Sequence, residues 1–183
     1  RIIVDDIKIE DQEGEDLLTI ARLAVKLEIL PLLQGQISIS NIQIFSFKLN
    51  TYQKNENQPI NCQFILDKLT PDNKKEKGNL NLRINAILMR RGEMCFDKKY
   101  ITETPERFNP AHIHISNIST NIALKAFQKD SLNLAVKRLS LKDKSGLTLD
   151  NLRFKITANQ NTAHLTDFEL KLPNSNIQLD SLA

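Results

Sequence analysis

One short spacing recurs down the whole chain: two apolar residues at alternate positions, two polar residues, then two more alternating apolar positions, at i, i+2, i+5 and i+7. It is complete as Ile2, Val4, Ile7 and Ile9 around Asp5-Asp6, as Ile37, Ile39, Ile42 and Ile44 around Ser40-Asn41, and as Leu147, Leu149, Leu152 and Phe154 around Asp150-Asn151. Weaker copies are Ile113, Ile115 and Ile118 around Ser116-Asn117, with Thr120 in the fourth slot, and Leu134, Val136, Leu139 and Leu141 around Lys137-Arg138. Two more are Ala163, Leu165, Phe168 and Leu170 around Thr166-Asp167, and Ile177, Leu179 and Leu182 around Asp180-Ser181. On a helix the four positions would point at about 0°, 200°, 140° and 340°, which is no single face, so the repeat reads as strand. In a straight strand the two inserted residues would turn the second half outward, and a β-bulge at the polar pair restores one apolar face. The competing reading is a two-residue hairpin turn at each pair. Such turns favour Asn-Gly or Asp-Gly, and no copy has Gly second.

Better turn signals fall between the units, at Gln128-Lys129-Asp130, Asp143 to Gly146, Ala158 to Thr162 and Pro173-Asn174-Ser175. They divide the C-terminal half into strands near 113–126, 131–142, 147–157, 163–172 and 176–183. The N-terminal half reads as a strand at 1–10, an acidic turn at Asp11 to Asp16, and a second strand carrying Leu23, Val25, Leu27 and Ile29. A short helix near 30–34 follows, with Pro31 in its first turn and Gly35 at its end. A long strand at 36–50, an amphipathic helix at 61–69, and strands near 79–90 and 93–97 complete the set. Residues 70–78, with Lys74 to Lys77 charged in a row, and residues 97–110, with two prolines, read as exposed loops. The pattern is the same on both sides of each loop, so residues 1–183 read as one mainly β unit, a long, curved antiparallel sheet with two short helices.

Composition narrows the function classes. The 183 residues are 40% hydrophobic and 26% charged, the profile of a folded domain, and the net charge of +3 is far from the basic stripe of a nucleic-acid binder, so no nucleic-acid partner is expected. Leu and Ile number 26 and 21 against three Val, and only five Gly are present, which nearly excludes a Gly-rich phosphate loop. No apolar run reaches the ~18 residues of a membrane helix. Arg1 is no initiator and the last repeat copy is incomplete, so the chain reads as a segment of something longer. Its one apolar face must be covered by a second sheet, by barrel closure, by the helices, or by an apolar ligand.

The run from Leu17-Leu18 through Leu23 to Leu27 and on from Leu32-Leu33 to Asn41-Ile42 resembles the strand, short helix and strand unit near the start of AsmA/TamB-like proteins. Residues 85–92 (NAILMRRG), 107–113 (RFNPAHI), 139–146 (LSLKDKSG) and 170–177 (LKLPNSNI) are similar, in the same order, to the long TamB-like proteins of Bacteroidota. These motifs span nearly the whole chain and carry no catalytic signature. The resemblance implies a U-shaped, taco-like β-groove with an apolar lining, and a non-enzymatic segment of an envelope-spanning conduit that moves phospholipid between the inner and outer membranes. It further implies a periplasmic location, an N-terminal inner-membrane anchor outside this chain, and a BamA-like outer-membrane barrel as a possible partner of the full-length protein. A structural or protein-binding scaffold in outer-membrane protein assembly is the other reading.

The groove reading picks out Ile37, Ile39, Ile42, Ile44, Leu147, Leu149, Leu152, Phe154, Leu165, Phe168, Leu170, Ile177 and Leu179 as lining, with phospholipid acyl chains as the ligand. No cofactor and no catalytic residue are expected. His112 and His114 stand two apart on one strand face, but a third metal ligand is not apparent from spacing, so no metal is expected. Ser116, Ser140 and Ser145 lack a glycine elbow. Cys62 and Cys95 read either as a disulfide pair or as two buried thiols. The basic stretches Lys74-Lys75 with Lys77, Lys98-Lys99 and Lys137-Arg138 read as solvated faces or as lipid head-group contacts.

Overall fold

The computed structural model describes residues 1–33, 38–69, 83–104, 107–128 and 131–182. Ile37, the 70–78 loop with its lysines, residues 79–82 and most of the turn at 128–130 lie outside them. The elements run β1 (Ile2–Glu10), β2 (Asp16–Leu27), α1 (Ile29–Leu33), β3 (Ser38–Gln53), α2 (Gln63–Leu69), β4 (Arg83–Ile84), β5 (Ala86–Lys98), β6 (His112–Gln128), β7 (Ser131–Asp143), β8 (Thr148–Asn159), β9 (Ala163–Leu172) and β10 (Ser175–Leu182). Nine strands form one open sheet in the order β1-β2-β3-β5-β6-β7-β8-β9-β10, and the two-residue β4 extends the ladder on β3.

The sheet is mixed, which corrects the expectation of an antiparallel one: β3 pairs with β4 and β5 in parallel, and every other pair is antiparallel. Parallel neighbours need a long crossover rather than a tight turn. The connection through α2 and the residues up to 85 supplies it. Three further boundaries move. The separate strands expected at 79–90 and 93–97 are one strand, β5, because Arg90-Arg91 is a bulge within it and not a break. Ile29 belongs to α1 rather than to the second strand, and the 97–110 loop begins only after Lys98.

Among the described residues, five other than glycine have a left-handed backbone, all inside strands: Asp6, Ser46, Arg91, Asn117 and Asp167, with φ between 52° and 55°. Three of them, Asp6, Asn117 and Asp167, are the second polar residue of a repeat copy. Asx side chains tolerate this conformation best, because a short polar group bonds locally to the backbone. The register also slips at Ser40, between Lys26↔Asn41 and Leu27↔Ile39, and at Lys137-Arg138, between Val136↔Phe154 and Leu139↔Leu152. Asp6, Ser46 and Arg91, the left-handed residues of β1, β3 and β5, lie at one level across the first strands, between pairs that stay in register on both sides, Asp5↔Arg22 and Ile7↔Ile20, Arg22↔Phe45 and Ile20↔Phe47, Phe45↔Arg90 and Lys48↔Glu93.

Among the described residues no second layer covers the face built this way. Eight interstrand spacings make the sheet about 38 Å wide, whereas the five residues of α1 and seven of α2 span only about 8 and 11 Å. Leu30 of α1 is itself 77% exposed. The accessible surface is 13187 Å², against about 9,000 Å² for a compact monomer of this mass. Among the described residues the fully enclosed apolar side chains reduce to Leu17, Ile20, Ala24, Ala111 and Val136.

The bulge geometry makes a direct prediction. Asn117→Gly keeps or slightly raises stability, whereas Asn117→Ile, β-branched at a φ of 54°, lowers it by about 1–3 kcal/mol in urea unfolding. Equal stability of the two variants contradicts a left-handed bulge at this position.

Candidate functional site

Residues directly opposite one another across a ladder share a face, so the register alone traces which side chains stand together. One unbroken row runs Val4, Leu23, Ile44, Met89, Thr120, Leu139, Leu152, Leu170 and Ile177, one residue from each of the nine strands. Its single polar member is Thr120, 4% exposed, whose hydroxyl donates to the Arg138 carbonyl at 3.0 Å and so leaves only its methyl to the row. A second row, Ile2, Val25, Ile42, Ile87, Ile122, Val136 and Phe154, lies beside it over seven strands. Beyond the bulges the face continues through Ile7, Ile20 and Phe47, whose ring lies over Gly92 so closely that a Cβ there would overlap it. Glycine is the side chain that this aromatic lid admits.

Of the residues expected to line a groove, Ile39, Ile42, Ile44, Leu149, Leu152, Phe154, Leu165, Phe168, Leu170, Ile177 and Leu179 all fall on this face. Leu147 does not sit in a strand: it closes the turn after Gly146, its carbonyl accepting from Asp143 N at 2.8 Å, and it is half-exposed. Leu23 and Val25, read from sequence only as strand residues, and Met89 and Ile122, which no repeat copy flagged, join the rows through the pairing. The face is half-buried in the middle of the sheet and opens toward both edges, where Ile2, Val4, Ile177 and Leu179 are exposed.

The opposite face is knitted by ion pairs between directly opposed residues: Arg22 with Asp5 at 2.7 Å, Lys48 with Glu93 at 3.7 Å and Arg153 with Glu169 at 2.7 Å. Exposed pairs of this kind contribute little each, about 0.2–1 kcal/mol, but they set which side meets water. Lys99 stacks its ammonium 3.7 Å above the Tyr52 ring, and Lys137 and Arg138 are exposed.

Two polar clusters stand out. In the first, Asp11, 8% exposed, accepts from Glu13 N and Glu15 N through Oδ1 at 2.9 and 3.0 Å, and from the Tyr52 hydroxyl and Asn61 Nδ2 through Oδ2 at 2.8 and 3.0 Å. Asn61 in turn accepts from Tyr52 N at 3.0 Å, so the β1–β2 turn, the end of β3 and the approach to α2 are tied at one carboxylate. Burial alone would raise the Asp11 pKa, but the four donors outweigh it and hold it down at about 2; the Tyr52 phenol is pushed up by burial and by the Asp11 charge.

The second cluster lies where Cys95 opposes His114 and Asp97 opposes His112. Cys95 Sγ is 3.0 Å from Asp97 Oδ2 and 3.4 Å from His114 Nδ1, and Asp97 Oδ1 is 3.1 Å from both His114 Nε2 and His112 Nδ1. His112 Nε2 lies 2.7 Å from the Ile101 carbonyl, which can only accept, so both nitrogens of that ring donate. Burial disfavours this charge, but the bonds to Asp97 and Ile101 raise the His112 pKa above its usual value. Burial and then the neighbouring carboxylate push the Cys95 thiol up to about 12, the reverse of an activated nucleophile. Cys95 and His114 line a cleft of about 530 Å³ with Lys48, Asn50 and Lys144. Both cysteines are free thiols.

No helix among the described residues is long and apolar enough to cross a membrane. No protein-family model matches the chain, and neither a curated protein nor a solved structure does.

Because Asp11 titrates lower folded than unfolded, its contribution to stability is complete above about pH 4 and is lost as the pH falls toward 2. Asp11→Asn is expected to cost about 1–3 kcal/mol at pH 7 and to shrink toward no difference near pH 2, read by urea unfolding at both pH values. A pH-independent penalty contradicts the role of the charge.

Proposed function

We propose that this chain is a non-enzymatic segment of a lipid-transfer conduit in a bacterial envelope, holding phospholipid acyl chains against the apolar face of the sheet as they pass between inner and outer membranes. The observation that carries the reading is the unbroken row from Val4 to Ile177, apolar at every strand but one and covered by no second layer among the described residues. Acyl chains ask for no hydrogen bonds, and each methylene removed from water contributes about 0.8 kcal/mol. A hydrogen-bonded sheet offers a wall without unpaired backbone groups along its interior, so a chain can slide on it without a polar barrier. The row of left-handed residues Asp6, Ser46 and Arg91, with the register slips of the later strands, supports a sheet folded over into a U-shaped groove. The likeness of the chain's motifs to AsmA/TamB-like proteins supports the same reading, and with it a periplasmic location, an anchor supplied by another part of the protein and a BamA-like barrel partner.

A second reading, a protein-binding scaffold in outer-membrane protein assembly, draws on the edges. β1 and β10 each pair on one side only and carry exposed apolar residues, the surface to which another strand adds.

The lipid reading predicts that the protein, purified without detergent, retains phospholipid detectable by native mass spectrometry. Ile44→Asp with Leu152→Asp, placing two charges in the central row, is expected to reduce bound lipid by about tenfold or more while leaving the secondary structure intact. Lipid-free wild-type protein, or equal lipid in the variant, counts against the conduit.

A further inference from the structure

We infer that Cys95, Asp97 and His114 form a binding site for a zinc-like divalent cation on the polar face of the sheet. Their donor atoms all lie within 4.8 Å of one another. With Nε2 as the imidazole donor, His114 stands 3.6 Å from Cys95 Sγ and 3.1 Å from Asp97 Oδ1, and the other carboxylate oxygen, Oδ2, is 3.0 Å from Sγ. For metal bonds of 2.0–2.3 Å the edges of a tetrahedron are about 3.3–3.8 Å, so the sulfur-to-imidazole separation already fits and the imidazole-to-carboxylate separation is slightly short.

The placement comes from the ladder. Cys95 and Asp97 are alternate residues of β5, His112 and His114 are alternate residues of β6, and the register sets Cys95 against His114 and Asp97 against His112. All four side chains therefore stand on one face, on two hydrogen-bonded strands rather than on loops, which fixes their spacing before any ion arrives. The donor set selects the ion. Magnesium and calcium take all-oxygen sites, whereas a thiolate with an imidazole and a carboxylate suits zinc and its spectroscopic substitute cobalt.

His112 acts as a positioning residue. It donates through Nδ1 to Asp97 Oδ1 and through Nε2 to the Ile101 carbonyl, and so aims the carboxylate at the site without being a ligand. On binding, Cys95 gives up its thiol proton to solvent and coordinates as the thiolate, so the dication meets two negative ligands and one neutral one. Three protein donors leave one tetrahedral position, which water can reach through the cleft that Cys95 and His114 share with Lys48 and Lys144. The site is on the face opposite the apolar rows, so it stands or falls independently of the lipid reading.

The test is a cobalt(II) titration of the metal-free 183-residue chain, followed by displacement with zinc. The expected result is one equivalent of cobalt with the intense visible bands of tetrahedral coordination and a thiolate-to-cobalt charge-transfer band. Cys95→Ser removes the charge-transfer band, and His114→Gln weakens binding by at least tenfold. His112→Gln keeps the spectrum but weakens binding by about 10–100-fold, and Cys62→Ser changes nothing. Zinc is also expected to raise the Tm of the wild type and not that of His114→Gln, a readout that holds if Cys95→Ser fails to fold. A pale octahedral spectrum, or spectra and affinities unchanged in Cys95→Ser and His114→Gln, overturns the assignment.

Discussion

Pairing register is the constraint on which the rest of this molecule depends. Side chains alternate with a period of two along a strand, so a slip of one residue would send a whole strand's apolar set into the charged face. The long strands carry two apolar stretches out of phase with one another, and in β1, β3, β5, β6, β7, β8 and β9 a left-handed or slipped residue between them brings both back to one side. Because neighbouring strands make the correction at nearly the same level, the apolar rows stay continuous on both sides of the bulges. A single uncorrected strand would break every row it crosses.

The consequence for stability is a quasi-one-dimensional object. Among the described residues strands make their substantial contacts with ladder neighbours, and no layer above the sheet couples distant ones. Cross-strand apolar pairs and backbone hydrogen bonds carry the fold, while fully enclosed side chains are few. The exceptions cluster near the N-terminal strands, where Leu17, Ile20 and Ala24 are buried and the Asp11 carboxylate ties a turn, a strand end and a helix entry together. That corner is the most cross-braced part of the molecule, and an apolar face left open elsewhere is the feature that calls for a ligand or a partner.

Much of this was legible in the sequence because the repeat is a statement about parity, and parity is local. The pairs at Ser116-Asn117 and Thr166-Asp167 carry bulges where the spacing demanded them, and Asp6 is left-handed at the polar pair of β1 while its ladder stays in register. Two copies were hidden. Ile87, Met89, Gly92 and Met94 have a glycine in an apolar slot, filled across the ladder by the Phe47 ring, and Leu18, Ile20, Leu23 and Val25 have Ala21 in a polar one. The parallel pairing of β3 with β5 follows from a long crossover, which no strand pattern specifies. The grouping of Cys95, Asp97 and His114 was equally out of reach, since the cysteine and histidine are neighbours only through register and linear ligand spacing is blind to that.

The central claim is that one face of the sheet is continuously apolar and available to acyl chains, and the other is not. Benzophenone photo-crosslinking tests it most directly, with the probe at positions 44 and 152 in the central row and at 155 on the charged face, in the presence of phospholipid vesicles. The account predicts phospholipid adducts from 44 and 152 and none from 155. Adducts within the chain alone at 44 and 152, or equal lipid labelling from both faces, would contradict it.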